Sequence, residues 1–383
     1  MFRPEIQKTR VLISMAIFSL LMVYLATEST VIHTAVGFEE KQRASEIMES
    51  ALNVLKHEIR DIRGKTIYID IDPNTTGLIF KEDSPIRSSI GDLEAKQTVL
   101  KPNFAAVVVD HLIQARVKSG DTVAVGMTGS MPGANIAVLS ACKAMGVHTI
   151  NITSVGSSTW GATDPNFTWL DMESVLVDSG IFTQKSIAAS MGGKGDCLRR
   201  SGKRGGKEGR RIVKHAAKRN DIPLIEYVLP IEEKNVSISI NQRIKFYSDI
   251  QGELKNYAAF INVGGGVTNV GVGGKKKLPK PGFLSPETII EMNPRNSIIR
   301  NFAQVGVPAI HISHISQLVE GIIPFGSEKL KTGQGRLYKE ERYNLMVASI
   351  ALIFSIGLVV GIGIYSHEQI KKRMQSYEPE SIL

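Results

Sequence analysis

The chain has 383 residues, of which 43% are hydrophobic and 22% are charged, and its formal net charge is +9. This is the composition of a globular chain with enough length for one large or two medium domains. The two cysteines, Cys142 and Cys197, show no CxxC or metal-type spacing, which excludes a disulfide scaffold but leaves a single bridge open. The mean hydropathy of −0.01 is high for a soluble protein and indicates membrane segments.

The first predicted element is the charge-free run VLISMAIFSLLMVYLA at residues 11–26, which follows Arg3, Lys8 and Arg10. Such a run is either a signal peptide or an uncleaved anchor. No small-x-small cleavage site follows it, and we therefore predict an anchor.

A second apolar run ends the chain. Residues 345–364 give twenty uncharged positions, the length that a bilayer core requires, and Lys371, Lys372 and Arg373 follow them. Basic residues flank transmembrane helices on the cytoplasmic side. We therefore predict a two-pass protein with both termini in the cytoplasm and a central part, about residues 30–340, outside it. ATP and nicotinamide cofactors are scarce there, so no cofactor is predicted.

The chain divides into five predicted regions. Strands alternating with helices predict an α/β fold with Rossmann-like parallel sheet layers in two halves, flanked by N- and C-terminal transmembrane helices. Residues 39–63 carry apolar side chains at helical spacing, and TIYIDI at 66–71 alternates as a strand does. The regions are the N-terminal tail and anchor (1–30), an amphipathic helical linker (31–64), a first α/β half (65–222), a second α/β half (223–338) and the C-terminal transmembrane helix with its tail (339–383).

The stretch DTVAVGMTGSMPGANIAVLSACKA at residues 121–144 organises the first half. It predicts a buried strand, a glycine-rich turn and a helix, the local unit that directs backbone N–H groups at an anion. The spacing G-x-x-G-x-x-x-G fits neither the dinucleotide motif nor the P-loop. A tight turn of any α/β domain is an equally good interpretation.

Two further strands in this half are also followed by loops rich in glycine and hydroxyl groups. In open α/β sheets, ligands bind outside the carboxyl ends of the strands. We therefore predict a ligand cleft, suited to carboxylate or phosphate groups, at one edge of one sheet. The predicted ligand-binding residues are Thr128, Gly129, Ser130, Ser157, Ser158, Gly192, Gly193 and Asp196.

The second half contributes the strand AAFINV, residues 258–263, and three glycines after it. Successive glycines let a backbone approach a ligand closely, so Asn262, Gly264 and Gly265 join the predicted ligand-binding set. A turn between two strands is equally compatible. His311 and His314 could act as ligands or as a general base, but ordinary hydrogen-bonded histidines are favoured and no metal site is predicted.

Residues 194–219 hold the positive charge of the molecule, with eleven Lys or Arg against Asp196 and Glu208. This sum of +9 equals the net charge of the whole chain. The pattern predicts a surface for a polyanion, and a solvated basic loop is the alternative. An extracytoplasmic location argues against nucleic acid. The predicted polyanion-binding residues are Arg199, Arg200, Lys203, Arg204, Lys207, Arg210 and Arg211.

Several long strings carry a resemblance to a known family. GSMPGANIAVLSACKAMGV, ITSVGSSTWGATDPNFTWLDMESVL, SIAASMGGKGD, INVGGGVTNVG and GVPAIHI together resemble the bacterial poly-gamma-glutamate system protein family, over about residues 10–340. The resemblance implies an accessory protein of poly-γ-glutamate synthesis in the bacterial cytoplasmic (inner) membrane, beside the ligase and its small membrane subunit. It transfers no catalytic residue. The segment 194–219 contains more basic residues than the family leads us to expect.

Two main hypotheses follow. The leading one is a non-catalytic accessory protein that binds or guides the polymer outside the membrane, with the polymer, the membrane subunits of the synthase and the lipid bilayer as partners and no nucleic acid. The rival is a γ-glutamyl hydrolase or transferase with Ser130 as nucleophile, backbone amides as oxyanion donors, and His311, His314 or Lys194 as base. A sensor of a small sugar or phosphate is a third possibility.

Overall fold

The computed structural model describes residues 8–80, 83–198, 206–227, 232–271, 279–292 and 295–376. They form two compact units, one built from the two ends of the chain (up to Ala35 and from Lys339) and one comprising Val36–Tyr338. The helices are α1 (Thr9–Glu28), α2 (Phe38–His57), α3 (Leu93–Val99), α4 (Asn103–Gln114), α5 (Pro132–Ala144), α6 (Trp169–Asp178), α7 (Gly206–Arg219), α8 (Glu232–Gln251), α9 (Val267–Val270), α10 (Pro286–Glu291), α11 (Ile298–Gln304), α12 (Ile315–Leu318) and α13 (Leu345–Gln375). The strands are β1 (Thr30–Thr34), β2 (Arg87–Ser89), β3 (Thr122–Thr128), β4 (His148–Ser154), β5 (Ser157–Ser158), β6 (Ala188–Ser190), β7 (Ala259–Val263), β8 (Gly282–Leu284), β9 (Ala309–Ile312) and β10 (Lys339–Tyr343).

The terminal unit pairs the two apolar runs with each other. Helices α1 and α13 pack together, and β1 pairs antiparallel with β10, with Thr30 opposite Tyr343. Both helices are long and apolar enough to cross a membrane. The sequence prediction of two apolar terminal helices is therefore confirmed.

A six-stranded, mostly parallel sheet forms the centre of the large unit, in the order β6-β4-β3-β7-β9-β8. Only β8 runs antiparallel, against β9. From β3 the chain proceeds outward to β4 and β6, then returns to place β7 on the other side of β3. Strands from both predicted halves thus share one sheet, whereas the sequence predicted separate sheet layers on either side of residue 223.

Helices cover both faces of this sheet, which explains why the interior of its central strand, between Thr122 and Thr128, carries no polar side chain. Val123 and Val125 of β3 belong to the hydrophobic cluster that also contains residues of α2, α4 and α5. Ala124 belongs to a second cluster, with Tyr247 of α8 and Phe302 of α11. Alternate residues of a strand point to opposite faces, so a strand covered on both sides needs apolar residues at every position.

The structure differs from the linker expected at residues 31–64. Helix α2 buries Ala44, Met48, Ala51 and Leu55, and it packs against α4 and α5 inside the large unit. The apolar face that the sequence shows is therefore part of the main hydrophobic core.

The predicted strand at residues 66–71 is also absent from the structure. The N–H groups of Ile71 and Asp72 donate to the carbonyl of Tyr68, which bends the chain. The buried Asp72 carboxylate then accepts hydrogen bonds from the Gly77 N–H at 2.6 Å and the Thr76 hydroxyl at 3.0 Å. A local turn therefore replaces strand pairing here.

Candidate functional site

A cleft of about 980 Å³ opens at the carboxyl edge of the sheet. Its lining comes from the segments after β3, β4, β6 and β7, together with residues 88–92. Strands β3 and β7 are the neighbours between which the strand order changes direction. This is the position where open α/β sheets bind ligands.

Most of the residues predicted to bind a ligand are brought together in this cleft. They come from the predicted loops after three strands of the first half and one strand of the second. The residues that line it are Thr128, Ser130, Ser158, Gly192, Gly193, Asp196, Gly264 and Gly265.

Three predicted residues, Gly129, Ser157 and Asn262, do not line the cleft. The Ser157 hydroxyl is buried and donates to the carbonyl of Gly129 at 3.0 Å. The Asn262 side-chain N–H₂ donates to the carbonyl of Gly264 at 2.6 Å and to His311 Nδ1 at 2.9 Å. These groups bond to the turns beside the cleft and do not belong to its lining.

One wall of the cleft is formed by a segment that the sequence did not predict. Strand β2 pairs parallel with β5, with Arg87 opposite Ser157 and Ser89 opposite Ser158. The chain then passes Gly91 and begins α3 at an aspartate cap, where the Asp92 carboxylate accepts from the Ala95 N–H at 3.3 Å. Pairing between such short strands leaves no recognisable pattern in the sequence.

Lys96 of α3 reaches the cleft from this wall. Its side chain is 2% exposed, and its Nζ atom lies 2.9 Å from Ser158 Oγ and hydrogen-bonds to the carbonyl of Ser130. Burial lowers the pKa of Lys96 to about 7, an effect that the charge of Asp92 opposes. A lysine among the apolar positions of a short helix was the only signal that the sequence offered.

Ser130 is held in place by hydrogen bonds at its backbone N–H and at its side-chain oxygen. Its N–H donates to Thr128 Oγ1 at 3.1 Å, and its Oγ atom accepts from the Ser158 N–H at 3.0 Å. No described histidine forms a hydrogen bond with it. The structure therefore joins Ser130 to Ser158 and Lys96. Of the three bases that the rival hypothesis considers, neither histidine bonds to Ser130, and Lys194 lines the same cleft.

His311 is occupied elsewhere. Its Nδ1 atom accepts from Asn262, and its Nε2 lies 2.7 Å from Ser313 Oγ, to which it donates as a neutral imidazole. Burial lowers the pKa of His311 to about 4, and the charge of His314 acts in the same direction. Neither histidine lines the cleft, so the catalytic role considered for them has no geometric support.

A buried ion pair forms the floor. Asp196 accepts hydrogen bonds from Ser190 Oγ at 2.7 Å and the Gly192 N–H at 2.9 Å. The Nη2 atom of Arg243, on α8, lies 3.4 Å from Asp196 Oδ2. Since both side chains are buried, the negative charge of Asp196 is balanced inside the protein.

The opposite wall carries polar groups without partners. Gly264 has a φ of +88°, and Gly265 and Gly266 follow it with open space in front of them. In the part of the chain that the structure describes, the buried atoms Thr268 Oγ1 and Asn269 Oδ1 have no hydrogen-bond partner. Buried polar atoms are normally paired, so these two are exceptions, and both residues line the cleft.

The basic segment is described only in part. Arg199, Arg200, Lys203 and Arg204 lie outside the described residues, whereas α7 contains Lys207, Arg210 and Arg211. Arg210 donates to the carbonyl of Cys197 at 3.4 Å. The outward face of α7 carries a basic stripe, which we define as Lys207, Arg211, Lys214 and Lys218. Their spacing places them on one side of the helix.

The fold and cleft thus define a mixed α/β protein with a polar crevice at the carboxyl edge of its sheet and two long apolar helices at its ends. No protein-family model matches this chain, and neither does any curated protein or solved structure. Among the described residues, no group of three or more His, Cys, Asp or Glu side chains could hold a metal ion.

Proposed function

We propose that the protein is a membrane-anchored accessory component of poly-γ-glutamate synthesis or export, and that its cleft binds γ-glutamyl units of the polymer. The central observation is the charge arrangement of the cleft. Arg243 balances the Asp196 carboxylate, while Lys194 and Arg295 also line the cleft. The Asp92 carboxylate caps α3. An anionic ligand therefore meets basic side chains, hydroxyls and unpartnered polar groups.

The position of the cleft supports the same ligand class. The strand order supports a Rossmann-like, doubly wound interpretation of the sheet, in which the crevice between β3 and β7 is the binding position. A γ-linked glutamate unit presents one amide and one carboxylate, which match the donors and acceptors of this crevice. A volume of about 980 Å³ is at the upper end of the range for ligand pockets and accommodates several such units.

The basic stripe offers a second contact for a long polymer. Lys207 and Lys218 are eleven residues apart, about 16 Å along a helix at 1.5 Å per residue. Glu208 is paired with Arg211 at 2.7 Å, so a neighbouring acid cancels part of this charge. A polyanion that occupies the cleft could extend over this face, with contacts that weaken as salt screens them.

The sequence resemblance supplies the biological setting of the proposal. It supports a location in the bacterial cytoplasmic membrane, with the large unit outside and α1 and α13 as spans. The membrane subunits of the synthase and the lipid bilayer are then the expected partners, and nucleic acid is not.

Retention of the polymer by the purified protein tests the proposal. Full-length protein in detergent micelles is immobilised, loaded with poly-γ-glutamate at low salt and washed with rising salt. We expect retention at low salt and release as salt increases, by analogy with other polyanions. Protein-free resin and detergent provide the control. Absence of retention at every ionic strength would refute the proposed function.

A further inference from the structure

We infer that Ser158 and Lys96 form a serine–lysine acyl-transfer site in which Ser158 is the nucleophile and Lys96 is its general base. The substrate class, an amide bond between γ-linked glutamates, rests on the proposed function. The two residues come from different elements, β5 and α3, and both line the cleft. Their Oγ and Nζ atoms are 2.9 Å apart, within the reach that proton transfer requires.

The surroundings of Lys96 favour a neutral amine. Its contacts are the Ser130 carbonyl and the Ser158 hydroxyl, and no described carboxylate forms an ion pair with it. In the structure Lys96 Nζ donates to both groups. Once the amine is neutral, one N–H still donates to the carbonyl, and the lone pair can accept the Ser158 O–H. The same contacts would leave an ammonium ion buried without an ion pair, which is costly.

The charged groups around Lys96 fit this state. Asp92 lies at the start of the same helix, and its charge raises the pKa of Lys96. Burial has the larger and opposite effect, so the pKa falls to about 7. Of the helices packed against α3, α5 carries Lys143 in its last turn and α12 contains no titratable side chain but follows His314. The other charged residues lining the cleft are Lys194, Asp196 and Arg295.

Ser130 takes a positioning role in this arrangement. Its Oγ accepts from the Ser158 N–H and donates to no described residue, so its hydroxyl proton is available to a developing oxyanion. Gly91 closes the other side of Ser158. A Cβ atom there would lie 3.0 Å from Ser158 Oγ and 2.3 Å from the Thr159 carbonyl. The nucleophile therefore has a defined position, which catalysis needs.

Ser158 Oγ attacks the amide carbon while its proton passes to Lys96 Nζ, and the C–N bond then breaks as the ammonium returns that proton to the leaving amine. The product is an ester between Ser158 and the γ-carboxyl group. Water attacks this ester, Lys96 takes its proton, and the proton returns to Ser158 Oγ as the carboxylic acid leaves. An amine in place of water would transfer the chain instead.

Two readouts on the full-length protein in detergent micelles test this inference. The first is covalent labelling by a serine-reactive fluorophosphonate, located by peptide mass spectrometry. We expect an adduct on Ser158 whose rate of formation rises with pH up to about 7 and then levels off, as Lys96 loses its proton. Ser158→Ala should abolish the adduct, and Lys96→Met should slow it about 100-fold or more. Ser50→Ala, an exposed serine of α2, is the matched control.

The second readout is the length of poly-γ-glutamate after incubation with each variant, measured by size-exclusion chromatography. We expect shortening by the wild type and by Ser50→Ala but not by Ser158→Ala, while the wild type and Ser50→Ala retain the polymer. The pH dependence of Ser158 labelling is measured on the wild type alone. The role of Lys96 can therefore be tested even if Lys96→Met folds poorly. Retention of the polymer with no Ser158 adduct and no shortening would overturn the inference and leave the proposed function intact. Labelling of Ser158 without polymer retention would support the pair and refute the proposed substrate.

Discussion

Arg243 and Asp196 are both buried, and they connect the middle of α8 to the turn that forms the cleft floor, with 3.4 Å between Nη2 and Oδ2. Arg243 Nη2 also donates to Ser154 Oγ at 2.9 Å and to Ser190 Oγ at 2.7 Å. One guanidinium group therefore holds together the carboxyl ends of β4 and β6. The shape of the cleft depends on this contact.

Removing one member of this pair should destabilise the protein strongly. Asp196→Ala leaves Arg243 buried without a countercharge, and we expect a loss of about 3–5 kcal/mol in the free energy of unfolding. The apparent melting temperature of the full-length protein in detergent measures the effect. The control is Asp249→Ala, an exposed aspartate of α8, the helix that carries Arg243. It should leave the melting temperature unchanged. An Asp196→Ala variant as stable as the control would show that the pair does not support the fold.

Glu173 of α6 should make stability fall as pH rises. Burial raises the pKa of Glu173 to about 7, although hydrogen bonds from the Ser186 N–H and hydroxyl oppose the shift. The folded state holds a proton that the unfolded state has released between about pH 4.5 and 7, so stability decreases over this interval by about 1.4 kcal/mol per pKa unit. Glu173→Gln carries no such charge and should melt higher than the wild type at pH 8 and not at pH 4.

Thermal unfolding across this pH range checks the prediction. Glu291→Gln, at an exposed position, is the control and should follow the wild-type curve. Parallel curves for the wild type and Glu173→Gln would mean that Glu173 has the same pKa in the folded and the unfolded protein.

The basic stripe should contribute to retention of long polymers. We expect a Lys214→Gln, Lys218→Gln double variant to release poly-γ-glutamate at lower salt than the wild type, with a shallower dependence on salt, because fewer counterions are exchanged. The matched control is Lys118→Gln with Lys245→Gln, which removes two exposed charges elsewhere. Equal salt profiles for the two double variants would exclude a specific role of α7.

The predicted membrane topology can be tested with single cysteines. Cys142 and Cys197 are buried and form no disulfide, so they provide a low background for labelling. A membrane-impermeant maleimide applied to intact cells should label Lys245→Cys, in the large unit, and not Gln375→Cys, at the end of α13. After the membrane is made permeable, both should react. The reverse pattern would place the large unit in the cytoplasm and remove the setting of the proposed function.

The sequence predicted the parts of the fold that have strong local patterns. The β3 strand is apolar because it is covered on both faces, and the glycines and proline after it mark the turn into α5, so this unit was recognisable without tertiary information. The apolar ends were recognisable by length alone. The strand expected at residues 66–71 failed because alternation specifies a strand only where a partner strand exists, and here Asp72 stabilises a turn.

The candidate site was predictable only where it follows strands. Ser130, Ser158 and Asp196 follow predicted strands, so the topology places them at one edge. The position of Lys96 in the cleft depends on the pairing of β2 with β5, and these strands are too short to give a recognisable sequence pattern. Ser157 and Asn262 do not line the cleft, because their side chains bond to neighbouring backbone and side-chain groups. Such local bonds cannot be read from the residue type.

Occupation of the cleft by γ-linked glutamate is tested most directly by titration with a short oligomer. A labelled γ-linked pentaglutamate is added to the full-length wild type and to Gly265→Trp. Gly265 lines the cleft, and a Cβ atom there meets nothing within 4 Å. Lys118→Trp, at an exposed position before β3, is the control. We predict saturable binding of the γ-linked pentamer to the wild type and the control. Gly265→Trp should bind it about tenfold more weakly or worse, and the wild type should bind the α-linked pentamer more weakly by the same factor. A tenfold loss of affinity corresponds to about 1.4 kcal/mol. Equal affinity in all three proteins and for both linkages would contradict the proposed cleft ligand.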